Sequence, residues 1–125
     1  MNTCKFLENH GYEVSYVQPD ERGFIHIKDI EKAVRQDTVL VSIMYANNEI
    51  GTMQPISEIA SLCKDRDILF HTDAVQACGH YNINVGDLGI NLLTASAHKF
   101  NGPKGFGFLF VKDGTRISPL IHGGS

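Results

Sequence analysis

The sequence predicts an α/β fold: one domain with a mostly parallel sheet and flanking helices in a three-layer arrangement, which is as much as 125 residues allow. Three observations predict it. Short apolar runs alternate with segments of helical periodicity along the chain. One run, Thr38–Ala46, is nearly unbroken and rich in β-branched residues, as expected of a strand covered on both faces. Three of the runs end in polar clusters, which is where strands of a parallel sheet deliver their loops to one edge.

Residues 2–9 look like the tail of a helix, with Gly11 placed to stop it just past the last periodic position. Tyr12–Gln18 alternates enough to be expected as a short strand, closed by Pro19 and Asp20. A helix is expected over Ile27–Gln36, where Ile30, Ala33 and Val34 recur at helical spacing among Asp29, Glu31, Lys32 and Arg35. After the Thr38–Ala46 strand, Pro55 can open the next helix, because the N–H it lacks would be unpaired in a first turn. In that helix Ile56, Ile59, Ala60 and Cys63 face one way, and Glu58, Lys64 and Asp65 face water. Ile68–Phe70 is a short strand running into His71-Thr72-Asp73, and Gly79, Gly86 and Gly89 mark a turn region. Asn91–Ala95 is the next strand. The loop Asn101-Gly102-Pro103-Lys104-Gly105 then leads into a last one, Phe106–Val111.

Composition narrows the function classes. At 42% hydrophobic, the chain can build a core, so disorder, collagen and coiled coil are set aside. Eleven basic against 14 acidic residues give a charge of −3 without basic clusters, which argues against a nucleic-acid partner. No apolar run approaches the ~20 residues of a spanning helix, and the first residues lack the apolar core of a signal peptide, so no membrane and a cytoplasmic location are expected. Cys4, Cys63 and Cys78 are odd in number and far apart, which fits reduced thiols. The histidines His10, His26, His71, His80, His98 and His122 show no ligand spacing, and no metal is expected.

The chemistry lies at the strand ends. Thr38–Ala46 runs into Asn47-Asn48-Glu49, Ile68–Phe70 into His71-Thr72-Asp73-Ala74-Val75-Gln76, and Asn91–Ala95 into Ser96-Ala97-His98-Lys99. A lysine desolvated behind a buried strand would have a lowered pKa, and its free amine would suit imine formation with an aldehyde. A carboxylate at the neighbouring strand end could keep a pyridine nitrogen protonated, so Lys99 and Asp73 together suggest pyridoxal 5′-phosphate (PLP). Ser96 and His98 could hold its phosphate. On spacing alone the alternatives stay open: a solvated surface lysine, an aspartate capping a helix, and two ordinary loop residues.

The three motifs Asn47-Asn48-Glu49-Ile50-Gly51, His71–Gln76 and Ser96–Gly105 closely resemble those of cysteine desulfurases of the NifS/IscS type, in the class V aminotransferase group of fold-type I PLP enzymes. The likeness runs in order from about Val14 to Ser125. It implies a part of a PLP-binding large domain. Lys99 resembles the lysine that holds the cofactor and later moves the proton at the substrate carbon, and Asp73 the partner of the ring nitrogen. Gln76 and Asn48 are similar to residues near the phenolic oxygen, with Asn47 the lesser member of its pair; Ser96 and His98 resemble phosphate ligands, and Val75 a residue packed under the ring or plain core.

The resemblance further implies L-cysteine or a related amino acid as substrate, a homodimer, and a sulfur-acceptor scaffold protein in iron–sulfur cluster assembly. The family's glycine-rich phosphate turn and stacking histidine are not visible upstream. Its carboxylate-binding arginine and catalytic-cysteine loop are not visible after His122-Gly123-Gly124-Ser125, so the chain as given is expected not to complete the cycle alone. Cys78 is a poor substitute for that cysteine, because it should sit in a packed helix. A selenocysteine lyase, and a non-catalytic or dimerising fragment with exposed apolar patches, are the alternatives.

Overall fold

A computed structural model describes residues 2–119, so His122 and the residues around it lie outside the described part. The elements in order are α1 (Asn2–Asn9), α2 (Ile27–Ala33), β1 (Leu40–Met44), α3 (Ile56–Asp65), β2 (Leu69–Asp73), β3 (Leu92–Ser96), a 3-10 turn (Ala97–Lys99) and β4 (Gly107–Val111). The sheet order is β1-β2-β3-β4, with β1, β2 and β3 parallel and β4 antiparallel to β3. This bears out an α/β fold with a mostly parallel sheet and flanking helices.

Each element has a local cause. The α1 helix ends in a Schellman motif: Gly11, at φ +86°, donates its N–H to Glu8 while Tyr12 donates to Leu7. α3 starts just after Pro55 and buries Ile56, Ile59, Ala60 and Cys63, the same four residues that share its apolar stripe. That stripe covers the sheet face carrying Phe70, Thr72, Leu93 and Ala95, all buried, and α2 packs on α3 through Ile30. Burial pushes the Cys63 thiol up to about 11, so it stays a neutral core group. Within this core the Thr72 hydroxyl has no hydrogen-bond partner among the described residues.

Several expectations fail for identifiable reasons. Tyr12–Gln18 is extended but forms no strand, because its backbone meets no pairing partner among the described residues. Arg35 holds it instead, through the Ser15 hydroxyl at 2.8 Å and the Glu13 carboxylate at 3.1 Å. α2 stops at Ala33, three residues early, as Val34 turns extended and Thr38 Oγ1 accepts the Arg35 N–H. β1 is an edge strand rather than one covered on both faces, and Leu40 and Met44 are exposed. The second face of the sheet is only half-covered, so residues 2–119 do not complete the third layer.

Candidate functional site

The parallel strands β1, β2 and β3 end on one edge. Met44 is in register with Asp73, and Asp73 with Thr94. The backbone stitches the exits together: Tyr45 N–H donates to Asp73 at 2.8 Å, and Ala74 N–H to Thr94 at 2.9 Å. Asp73 and Ser96 project from the same sheet face, since residues of one face recur every second position and Asp73 aligns with Thr94.

Asp73 is half-buried at the last position of β2. Its Oδ1 accepts the Val75 N–H at 3.0 Å, which turns the chain, and its Oδ2 has no partner among the described residues. The chain then makes a turn rather than the packed helix expected around Cys78, with Ala77 and Cys78 both donating N–H to Ala74. Val75 and Gln76 sit half-buried in this turn. Burial raises the Cys78 thiol above its ordinary value, away from the thiolate a nucleophile needs.

The β3 exit carries the amine. Ser96 Oγ lies 2.8 Å from His98 Nδ1, which pairs the two expected phosphate ligands. Lys99 ends the 3-10 turn and is exposed rather than desolvated behind the strand, and its ammonium has no carboxylate or hydrogen-bond partner among the described residues. The Asp73 and Lys99 turns pack directly on each other: His80 Nε2 lies 3.1 Å from the Lys99 carbonyl oxygen, and a Cβ on Gly79 would stand 2.4 Å from Phe100 Cβ.

At the β1 exit, Asn47 Oδ1 accepts the N–H groups of Glu49 and Ile50 at 2.8 and 3.1 Å, so its amide oxygen is spent on the turn. Asn48 is exposed at the tip. The structure therefore puts Asp73 at the end of β2, Gln76 in the turn that follows, and Ser96, His98 and Lys99 at the β3 exit that packs on that turn, with Asn48 on the loop after β1. The cleft lined by Ser42, Met44, Asn47 and Gln54 includes neither Asp73 nor Lys99. The apolar runs place His71 in the polar cluster after Phe70 but give no sign of Ser42, Thr94 or His80 as members of this edge. The alternation His71-x-Asp73 could have placed His71 on the face of Asp73.

The donor set fits PLP. A carboxylate with one oxygen and an amine that have no partner among the described residues, and a hydroxyl–imidazole pair, are the groups that a pyridine nitrogen, an aldehyde and a phosphate would each take.

Such a site on an α/β sheet edge belongs to a known class: the aminotransferase class-V family model matches residues 1–125, and the chain belongs to that family. Among its relatives, it is 55% identical over 125 residues to cysteine desulfurase IscS of Dictyoglomus turgidum, covering all of this chain and 32% of that protein. It is 56% identical over 124 residues to cysteine desulfurase IscS of Clostridium botulinum, covering 99% of this chain and 31% of the other. A solved structure described as SspA in complex with cysteine superposes with TM-score 0.95 at 46% identity over 98% of this chain and 36% of that one. A NifS-like protein gives TM-score 0.93 at 44% identity, over 98% and 34%. The chain thus spans about a third of the length of the curated relatives it matches.

Proposed function

We propose that residues 1–125 are the central part of the PLP-binding large domain of a cysteine desulfurase, which converts L-cysteine to L-alanine and passes the sulfur to an enzyme cysteine as a persulfide. The observation that carries this reading is the contact between the Asp73 and Lys99 turns, which brings a carboxylate and an amine to one sheet edge. The relatives named IscS and the cysteine complex of a structural neighbour support the substrate class.

In this reading Lys99 would hold the cofactor's aldehyde carbon, Asp73 its ring nitrogen, Gln76 and Asn48 its phenolic oxygen, and Ser96 and His98 its phosphate, with Val75 packed beneath. When bound, PLP supplies an electron sink for charge developing at the substrate α-carbon. Asp73 would keep the facing nitrogen protonated, its second oxygen accepting a charge-assisted hydrogen bond from the ring N–H. The Ser96–His98 pair fixes the imidazole so that its second nitrogen can donate to an anion. Lys99, with no competing ion pair among the described residues, can exchange between holding the aldehyde carbon and moving a proton at the α-carbon. The same reading carries a cytoplasmic homodimer that hands sulfur to a scaffold protein for iron–sulfur assembly. No helix among the described residues is long and apolar enough to cross a membrane.

The test is covalent trapping. The protein is mixed with PLP, reduced with borohydride and digested, and the modified lysine is mapped by mass spectrometry, with Lys99→Ala as control. Modification is expected at Lys99; labelling spread evenly over Lys5, Lys28, Lys64 and the other lysines would reject the site.

A further inference from the structure

The sheet face that carries Asp73 also carries a row of side-chain hydrogen bonds across three strands. Ser42 Oγ on β1 lies 2.7 Å from His71 Nδ1 on β2, and His71 Nε2 lies 3.3 Å from Thr94 Oγ1 on β3. Either hydroxyl can donate or accept, so a neutral imidazole is satisfied in both tautomers. In one, Nδ1–H donates to Ser42 while the Thr94 hydroxyl donates to Nε2. In the other, both directions reverse.

His71 and Asp73 are two positions apart on one strand, so both side chains leave the same face. From β1 that face receives Leu40, Ser42 and Met44, from β3 Leu92, Thr94 and Ser96, and from β4 Gly107, Leu109 and Val111. Asp73 is the single charged group among them. A protonated His71 would set a positive charge two positions along the strand from that carboxylate and offset its charge, whereas a neutral one leaves that charge available. Half-burial favours the neutral form, holding the His71 pKa below its ordinary value of 6.5, and the Asp73 charge opposes this.

We propose that His71 is a positioning residue for Asp73: clamped between Ser42 and Thr94, it presents an uncharged imidazole to the carboxylate and keeps that negative charge free for the protonated ring nitrogen. The role of the ring nitrogen rests on the PLP reading; the His71–Asp73 coupling does not.

Coupling between two sites is reciprocal, so it can be read from the histidine without any cofactor. The His71 ring signals are titrated by NMR in cofactor-free protein, in wild type and in Asp73→Asn. Wild type is expected to titrate below 6.5, and Asp73→Asn lower still by roughly half a pH unit or more, the size expected for removing a charge one strand step away. An unchanged midpoint in a folded Asp73→Asn protein, or a wild-type midpoint above 6.5, overturns the proposal. Loading the wild-type protein with PLP supplies a measurement without substitution, and it is expected to lower the His71 midpoint as Asp73 becomes paired. A second readout is the ring nitrogen of ¹⁵N-labelled PLP: His71→Lys, a fixed cation beside Asp73, is expected to lower its protonated fraction, and the uncharged His71→Asn to preserve it. Equal effects of the two substitutions would also overturn the proposal. If Lys99 is not trapped while Asp73→Asn still shifts His71, the PLP reading fails and the coupling stands.

Discussion

Asn47 and Asn48 are chemically identical neighbours that the β1 exit gives different tasks. The amide oxygen of Asn47 accepts two backbone N–H groups of the turn, and Asn48 is left exposed. Residue type narrows the choice to this pair, the family resemblance favours Asn48, and the turn geometry gives the physical reason. Asp73 and Lys99 stand out in the sequence because a carboxylate and an amine after apolar runs are chemically conspicuous. His71 stands in the same cluster as Asp73, but its hydrogen bonds are not legible there, because they form only when Ser42 and Thr94 arrive from elsewhere in the chain. That imidazole makes stability depend on pH with a definite sign. Its folded pKa is depressed mainly by burial, so the unfolded state binds the proton more readily. The stabilisation is fully present above pH 6.5 and is lost as pH falls from there through the lower folded value. Asp20 is also depressed, chiefly by the Phe24 N–H it accepts, but its loss falls below 3.8 and leaves the histidine window separate. Urea unfolding between pH 5 and 8, a window of roughly a unit and a half on either side of the ordinary histidine value, should show stability falling toward the acid side in wild type, and a flatter profile in His71→Asn. Equal slopes in the two proteins would refute the assignment.

The end of β2 holds the carboxylate of Asp73 and a 3-10 turn the amine of Lys99, and the packing of the turns around them brings the two together. Where elements depend on local pattern, the sequence was informative: the stripe Ile56, Ile59, Ala60, Cys63 needs only helical spacing and an apolar sheet to meet. Tyr12–Gln18 fails as a strand because alternation specifies an extended chain and says nothing of a pairing partner. The contact of the two turns is equally non-local. Gly79 sits at φ +82° with the space for a Cβ filled by Phe100, so it faces both a conformational and a steric penalty on substitution. Gly79→Ala is expected to destabilise the fold by about 2–4 kcal/mol, combining a left-handed alanine with local overpacking. It should also reduce trapping of PLP on Lys99, because the Lys99 turn must move away. His80→Gln, which keeps a donor for the Lys99 carbonyl, should be tolerated better than His80→Ala. Urea midpoints and the fraction of Lys99 modified by borohydride measure both effects, and a Gly79→Ala protein with wild-type values would show that the contact does not fix the turns.

The molecule as a whole is asymmetric about its sheet. One face lies under α3 and is dry, with Phe70 and Ile59 fully buried, while the other presents the Ser42–His71–Thr94 row and Asp73 among half-exposed apolar side chains. Leu40 and Leu109, on the two edge strands of this face, are 45% and 48% exposed. This sheet face mixes such residues with a few polar groups and is only half-covered by residues 2–119, and both sheet edges are open to pairing. The purified 125-residue chain is therefore expected to bind a hydrophobic dye such as anilinonaphthalene sulfonate at neutral pH and to associate as its concentration rises. The double substitution Leu40→Lys with Leu109→Lys should lower both signals. Because these side chains are already about half in water, folding stability should move by no more than about 1 kcal/mol, far less than the ~2–5 kcal/mol expected of Ile59→Ala in the buried core. The contrast separates surface from core: dye uptake and sedimentation should respond to the lysines and the urea midpoint to Ile59. Dye binding that survives the lysine pair but rises with Ile59→Ala would mean that the exposed apolar surface comes from a loosened core and not from the open face of the sheet.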